Sequence, residues 1–156
     1  MIGFGYDVHR LAAGETLVLG GVTLESRLGT VAHSDGDVLV HAIMDALLGA
    51  LAMGDIGLHF PDTHPEWRGA DSIAMLKRVH HMIRHEGAHV VNIDSTVALE
   101  APRLRPHIEA MRERIAGALA LDVKRVSVKA TTSERLGFVG REEGVAAYAV
   151  VQVEWD

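Results

Sequence analysis

Cysteine is absent from the 156-residue sequence, which excludes disulfide bonds and thiolate metal ligands. Long apolar runs are also missing, because His41, Asp45 or glycine interrupts the longest of them, and no segment is long enough to suggest a membrane span. The first six residues lack the basic flank and extended apolar core of a signal peptide. These absences together predict a cytoplasmic protein without a membrane partner.

Positive charge is scarce as well. Lysine and arginine number 15 against 21 aspartates and glutamates, which gives a formal net charge of −6. Nucleic-acid backbones require a basic surface, so we expect no nucleic-acid partner. A small anionic substrate is still compatible with this balance, because local cations and metal ions can bind it. The ten histidines make metal binding a hypothesis to test.

Internal repeats, low-complexity tracts and linkers are not visible, so residues 1–156 are predicted to form a single domain. Period-two alternation predicts a strand over residues 2–9, with Phe4, Tyr6 and Val8 on one face and Asp7 and His9 on the other. The remaining patterns predict strands at 17–19, 22–24, 90–99, 126–130 and 145–153, helices at about 37–53, 71–87 and 106–119, and a loop at 54–69. This order predicts an α+β fold in which helices pack on one face of a mixed sheet, a two-layer sandwich.

Three residues form a candidate metal site. Asp7 and His9 leave the same face of the first strand, and His41 lies on a helix that is otherwise apolar almost all round. One oxygen and two nitrogen ligands suit zinc and leave a fourth position for water or substrate. Asp45, one turn after His41, could support the ligands or bind a substrate hydroxyl. The alternative is a hydrogen-bonded core histidine and a hydrogen-bonding Asp-x-His pair, because spacing alone does not show that strand and helix meet.

A second cluster leaves the end of the strand predicted at 126–130. Lys129, the hydroxyls of residues 131–133 and nearby glycines suit phosphate oxygens, and Glu134 could hold Mg²⁺ or Mn²⁺. The alternative is a Thr/Ser-rich turn followed by a solvated charged run.

Several short motifs follow one another along nearly the whole chain. They are residues 5–10 (GYDVHR), 32–37 (AHSDGD), His41, 45–49 (DALLG), 54–57 (GDIG), 60–63 (FPDT), 101–102 (AP), 106–107 (PH), 128–134 (VKATTSE), 136–138 (LGF) and 140–141 (GR). With them the sequence resembles the 2-C-methyl-D-erythritol 2,4-cyclodiphosphate synthase family. His64 and Ser133 are departures, since many relatives carry aspartate and threonine at these positions. The first departure casts doubt on one substrate contact; the second keeps its hydroxyl.

The resemblance implies an enzyme of the phosphorus–oxygen lyase class in the non-mevalonate (methylerythritol phosphate) route to isoprenoids. Its substrate would be 4-diphosphocytidyl-2-C-methyl-D-erythritol 2-phosphate, whose 2-phosphate attacks its own β-phosphorus and releases CMP. Zinc and a second divalent ion, Mg²⁺ or Mn²⁺, would assist. The resemblance also implies a homotrimer with active sites between subunits, and an isoprenoid diphosphate along the trimer axis with Arg141 as an anion contact.

By position in the motifs, the resemblance assigns zinc to Asp7, His9 and His41, the second ion to Glu134, and transition-state support to His33 and Thr132. The implied substrate and nucleotide contacts are Asp7, His9, His33, Ser34, Asp45, Asp55, Ile56, Gly57, Phe60, Pro61, Asp62, Thr63, His64, Leu99, Glu100, Ala101, Pro102, Arg103, Leu104, Arg105, Lys129, Thr131, Thr132, Ser133, Glu134, Phe138 and Arg141. A zinc phosphohydrolase, and a metal-stabilised trimeric scaffold or binding protein without turnover, are the competing interpretations.

Overall fold

Seven strands and five helices make up the computed structural model, which describes residues 1–156. The strands are β1 (Ile2–Ala13), β2 (Leu17–Leu19), β3 (Val22–Leu24), β4 (Leu28–Val31), β5 (Ala88–Ala98), β6 (Val126–Thr131) and β7 (Gly144–Trp155). The helices are α1 (Val38–Ala50), α2 (Ile56–His59), α3 (Ser72–His85), α4 (Ile108–Ala118) and α5 (Gly137–Gly140), with 3-10 turns at Pro65–Trp67, Arg105–His107 and Val123–Arg125. None of the helices combines the length and the apolar character that crossing a bilayer requires.

The main sheet has the strand order β4-β1-β7-β5-β6. All neighbouring strands are antiparallel except β5 and β6, which are parallel, and β2 and β3 form a separate hairpin. Helices α1, α3 and α4 pack against the sheet and one another over a single buried core. The predicted α+β fold with a mixed sheet is therefore confirmed.

Asp37 determines where α1 begins. Its buried carboxylate accepts hydrogen bonds from the backbone N–H of Val40 at 3.1 Å, of Gly20 at 3.0 Å and of Gly21 at 2.7 Å, which caps the helix and ties it to the β2–β3 turn. Ser72, at the start of α3, places its hydroxyl 3.1 Å from the same carboxylate. The two long helices and the hairpin thus converge on one capping side chain.

The two faces of β1 have different surroundings. Gly3 and Gly5 lie directly under α1, where a Cβ atom on either would stand 1.8 Å from a carbonyl oxygen of the helix. On the opposite face, six apolar side chains of β1 and β7 are exposed to solvent in the single chain: Ile2, Phe4, Tyr6, Val8, Tyr148 and Val150. The predicted alternation of β1 is correct, and it is the glycine face that packs on the helix.

Three local features differ from the sequence-based expectations. β1 continues to Ala13 because β4, which was not predicted, pairs with its second half from Arg10 onwards. Within the predicted loop at 54–69, Asp55 caps the single-turn helix α2. β5 begins at Ala88, two residues before the predicted start, and an irregular register between Val90 and Asn92 leaves Val90 buried and Val91 half-buried.

Candidate active site

Asp7, His9 and His41 come together where β1 passes under α1. The distances between Asp7 Oδ2 and His9 Nε2, Asp7 Oδ2 and His41 Nδ1, and His9 Nε2 and His41 Nδ1 are 3.1, 3.2 and 3.3 Å. In tetrahedral coordination with bonds of about 2.1 Å, ligand atoms are separated by about 3.4 Å. Three potential ligand atoms, one oxygen and two nitrogens, therefore already have nearly the spacing that a tetrahedral divalent ion requires.

Close packing of a helix on glycine creates this cluster. Because Gly5 has no side chain, the backbone of α1 approaches β1 at Ala42, one residue beyond His41. Asp7 and His9 follow Gly5 at two-residue intervals and project from the same face of the strand. The sequence pattern predicted that these two side chains share a face; the contact with His41 depends on the glycine beside them.

The charges of the cluster favour a cation. Burial raises the pKa of Asp7, but hydrogen bonds and positive charge from His41 and His9 outweigh it and lower that pKa to about 2. Burial lowers the pKa of His41, yet the hydrogen bond and charge of Asp7, together with Asp37 and Asp35, raise it overall. Asp7 is thus anionic at neutral pH, and negative charge accumulates around the imidazoles. The residues present fit a divalent metal ion.

The loop before α1 completes one wall of the site. Ser34 Oγ lies 3.2 Å from His41 Nε2, the ring nitrogen that faces away from Asp7, and so orients the imidazole. The backbone carbonyl of His33 accepts a hydrogen bond from Gly69 N at 2.7 Å, while its side-chain Nε2 is buried without a hydrogen-bond partner. His33 therefore has a free polar atom beside the metal cluster.

Asp45 is not a member of the metal cluster. Its Oδ1 accepts a hydrogen bond from Ile56 N at 2.9 Å, which fixes the start of α2. Burial raises the pKa of Asp45, the backbone hydrogen bond opposes this shift, and the negative charge of Asp55 adds to it. This contact is to the backbone of α2 and not to a metal ligand, so both expected roles of Asp45, support of the ligands and binding of a substrate hydroxyl, stay predictions.

A cavity of about 560 Å³ opens over the metal cluster. Besides the three potential ligands, its lining includes seven residues predicted as contacts, namely His33, Ser34, Ile56, Gly57, Phe60, Pro61 and Asp62. Asp55, Thr63 and His64 do not line it. Asp55 instead caps α2 through Leu58 N at 3.0 Å, and His64 Nδ1 lies 3.5 Å from Glu66 Oε1.

Trp67 also lines this cavity, although the sequence patterns did not single it out. Its ring packs edge-on against Phe60, with centroids 4.9 Å apart. The Arg78 guanidinium of α3 lies 5.2 Å from the Trp67 ring and 5.9 Å from the Phe60 ring. Arg78 thereby anchors the aromatic pair to the helix layer. The only sequence signal for a role of Trp67 is its position in a loop that is rich in other motif residues.

A second cavity, of about 460 Å³, lies at the carboxyl ends of β5 and β6. Because these strands are parallel, segments 99–105 and 129–132 leave the sheet side by side, and Leu99 N donates to Thr131 O at 3.0 Å. All the predicted contact residues within these two segments line this cavity, with the exception of Ala101. Lys129 is not a free cation, since its Nζ is 2.8 Å from Asp94 Oδ2 on the neighbouring strand.

Glu134 lines a third, adjoining cavity with Glu100, Thr132 and Arg135. Ser133 lies in the same turn but does not line it, and its hydroxyl donates to Leu136 O at 2.7 Å. Phe138 and Arg141 follow on or next to α5, where Arg141 Nε is 2.9 Å from Glu143 Oε1. The predicted residues therefore fall into two groups. Within one chain, the cavity over the metal cluster shares no lining residue with either cavity beside β6.

Comparison with known proteins gives consistent results. The model of the YgbB family matches residues 1–154. The 2-C-methyl-D-erythritol 2,4-cyclodiphosphate synthase of Geobacter sulfurreducens is 58% identical over 153 residues, covering 98% of each protein. The solved structure of such a synthase in a form with bound CDP superposes with a TM-score of 0.91 at 39% identity, covering 99% of this chain and 100% of the other. The bifunctional IspDF from Campylobacter jejuni superposes with a TM-score of 0.95 at 42% identity; this chain is covered to 99% and spans 42% of that protein.

Proposed function

This chain belongs to the YgbB family, and we propose that it converts 4-diphosphocytidyl-2-C-methyl-D-erythritol 2-phosphate to 2-C-methyl-D-erythritol 2,4-cyclodiphosphate with release of CMP. Its relatives are named as synthases at more than half identity, so the chain is an enzyme that forms a cyclodiphosphate in a lyase-type reaction. The observation that carries the proposal within the structure is the Asp7–His9–His41 cluster, which opens into the cavity that contains His33.

Asp7, His9 and His41 would hold zinc through one oxygen and two nitrogens, with Ser34 orienting His41. When bound, zinc would supply positive charge that polarises a phosphate group of the substrate. His33 lines the cavity, and its Nε2 is buried without a partner in the protein, which supports a contact between this ring and a phosphoryl oxygen. Thr132 is exposed, and its hydroxyl would contact the phosphates from the side of the nucleotide. Both residues would stabilise the charge that develops during phosphoryl transfer.

The reaction requires no protein nucleophile. An oxygen of the substrate's 2-phosphate forms a bond to the β-phosphorus, the bond from that phosphorus to the bridging oxygen breaks, and CMP leaves with both electrons of that bond. Residues 55–57 and 60–64 would position the methylerythritol end, where Asp45 is the candidate partner of a hydroxyl. Orientation of two groups of one molecule removes much of the entropic barrier.

The cytidine and its phosphates would occupy the cavities beside β6. Segments 99–105 and 129–133 line or adjoin them, and Glu134 would hold Mg²⁺ or Mn²⁺ through its exposed carboxylate. A solved relative is described as a CDP-bound form, which supports a cytidyl diphosphate ligand.

Two observations support a homotrimer with active sites between subunits. The six exposed apolar side chains of β1 and β7 would be covered in an assembly, as such exposed patches on single chains commonly are. In addition, the metal cluster and the nucleotide segments occupy separate cavities of one chain, and a neighbouring chain would bring the two halves together. An isoprenoid diphosphate would then bind along the trimer axis, with Arg141 as its anion contact. Equilibrium dialysis with geranyl or farnesyl diphosphate tests that ligand, and absence of binding to the wild type rejects it.

Phosphorus NMR of the purified protein with the cytidyl substrate and Mg²⁺ tests the reaction. We expect CMP and a cyclic diphosphate to appear in equal amounts, to disappear with a zinc chelator and to return with Zn²⁺. Open-chain phosphates beside CMP would identify a phosphohydrolase instead. No turnover by zinc-loaded protein, combined with a melting temperature that falls on chelation, would identify a metal-stabilised binding protein.

A further inference from the structure

Glu100, at the end of β5, bonds to the backbone of the turn that follows β6. Its Oε2 accepts a hydrogen bond from Ser133 N at 3.0 Å, and its Oε1 accepts one from Arg135 N at 2.8 Å. One carboxylate therefore satisfies two backbone donors on either side of Glu134. Hydrogen bonds to a charged acceptor are stronger than neutral ones, so this pair of contacts is a firm connection between the two segments.

The turn held in this way has an unfavourable backbone. Glu134 and Arg135 are both in the left-handed region, with φ values of 55° and 61°. Residues with a side chain rarely adopt this conformation, and two in succession require support from their surroundings. The local contact of Glu134 N with Thr132 Oγ1 is long, at 3.3 Å. The carboxylate of Glu100 supplies the stronger contacts.

The turn also touches a second backbone segment. A Cβ atom built on Gly140 would stand 2.1 Å from the carbonyl carbon of Arg135, so the two backbones are in direct contact. The Arg135 backbone thus has two neighbours, Gly140 at its carbonyl carbon and the Glu100 carboxylate at its N–H. Thr132 and Glu134, on either side of Ser133, take their positions from this arrangement.

We propose that Glu100 is a positioning residue, which holds Thr132 and Glu134 in place through the backbone of the turn rather than by touching the nucleotide. The functional part of this inference rests on the proposed function, in which those two side chains face the substrate phosphates and the second divalent ion. It also changes the expected chemistry of the turn: the N–H groups of Ser133 and Arg135 are already bound and do not serve as phosphate ligands.

Amide hydrogen exchange of the protein without substrate, measured by NMR, tests the contact directly. In Glu100→Gln, one oxygen is replaced by an NH₂ group that faces a backbone donor, and we expect exchange at Ser133 and Arg135 to accelerate at least about tenfold. Glu100→Asp keeps the charge but shortens the reach, and we expect acceleration there too. Glu142→Gln removes a charge from the same cavity without touching the turn, and exchange at both amides should stay at the wild-type rate.

Two further titrations separate positioning from contact. With EDTA present, CDP should bind Glu100→Gln more weakly than it binds the wild type. This loss of affinity should accompany the faster exchange at the Ser133 and Arg135 amides. In the assay with substrate, the Mg²⁺ concentration for half-maximal activity should rise, while bound zinc stays at the wild-type level. Exchange measured without substrate remains informative even if the wild type has no cyclase activity, so the two proposals fail separately.

Unchanged exchange at both amides in Glu100→Gln would overturn the inference. So would weaker CDP binding with unaltered exchange, since that pattern means direct contact with the nucleotide. A uniform rise in exchange throughout β5 and β6 would reduce Glu100 to a general contributor to stability and would also overturn it.

Discussion

Gly5 of β1 lies so close to Ala42 of α1 that a Cβ atom on Gly5 would stand 1.8 Å from the Ala42 carbonyl oxygen. The contact is between two backbones, and neither can move aside as the end of a flexible side chain can. His41 precedes Ala42 and Asp7 follows Gly5 by two residues, so the distance between strand and helix also sets the distance between potential metal ligands.

Gly5→Ala should therefore weaken both the fold and the metal site. Overpacking in a close-packed interior typically costs about 1–3 kcal/mol, and we expect at least that loss of unfolding free energy together with reduced bound zinc. Urea denaturation and metal analysis measure the two effects. Gly49→Ala in the same helix is the matched control: its Cβ meets no atom within 4 Å, so it should stabilise by up to about 1 kcal/mol and keep the metal. Normal zinc content in Gly5→Ala would show that the backbone contact does not set the site.

His9→Ala should abolish tight zinc binding, because it removes one of only three potential ligands. A ligand present at 100 times its dissociation constant stabilises the folded state by about 2.7 kcal/mol. EDTA should accordingly lower the melting temperature of the wild type and leave that of His9→Ala almost unchanged. His81→Ala, on the outer surface of α3, should respond to EDTA as the wild type does. A chelator-sensitive melting temperature in His9→Ala would contradict the assigned ligand set.

The Asp94–Lys129 pair predicts a pH dependence of stability. Burial raises the pKa of Asp94, but the hydrogen bonds from Lys129 and Ser127 and the charge of Lys129 lower it overall. A carboxyl group with a lowered pKa stabilises the fold above its unfolded value of about 3.9, and this contribution is lost as the pH falls through the folded value. Both side chains are about half exposed, so Asp94→Asn should cost no more than about 1 kcal/mol at pH 7.

Denaturation of wild type and Asp94→Asn at several pH values measures this contribution. The difference between them should shrink below about pH 4 and should also decrease in 1 M salt, which screens exposed charges. A difference that is constant from pH 7 to pH 3 would mean that Asp94 acts through packing and not through its charge.

Phe4→Lys should disrupt the proposed trimer. The Phe4 side chain is 63% exposed in one chain and lies opposite Val150 on the apolar face of the sheet. Burying a lysine without a partner in a subunit interface is costly, so sedimentation should change from three chains of 16.8 kDa towards one. Ala110→Lys on the exposed face of α4 introduces the same side chain elsewhere and should leave the assembly intact. A Phe4→Lys protein that sediments as the wild type would place the interface on another surface.

The sequence predicted the sheet and the three long helices because alternation, helical periodicity and capping residues are local signals. Asp7 and His9 were grouped by strand geometry, whereas their contact with His41 depends on how Gly5 packs, which no local pattern records. The left-handed turn at Glu134 was likewise invisible, because its support comes from Glu100, 33 residues before the nearer of the two amides it binds. The helices and strands could be predicted from the sequence, whereas the contacts between distant segments could be found only from the structure.

In the proposed trimer, the separation of the two cavities within one chain has a genetic consequence. One allele can damage the metal half, as in His9→Ala, and another the nucleotide half, as in Glu134→Ala. In trimers formed at random from equal amounts of the two products, roughly a quarter of the sites would pair an intact metal half with an intact nucleotide half from a neighbouring subunit. Two alleles that are each inactive alone would then complement each other in the same cell, while two alleles damaged in the same half would not.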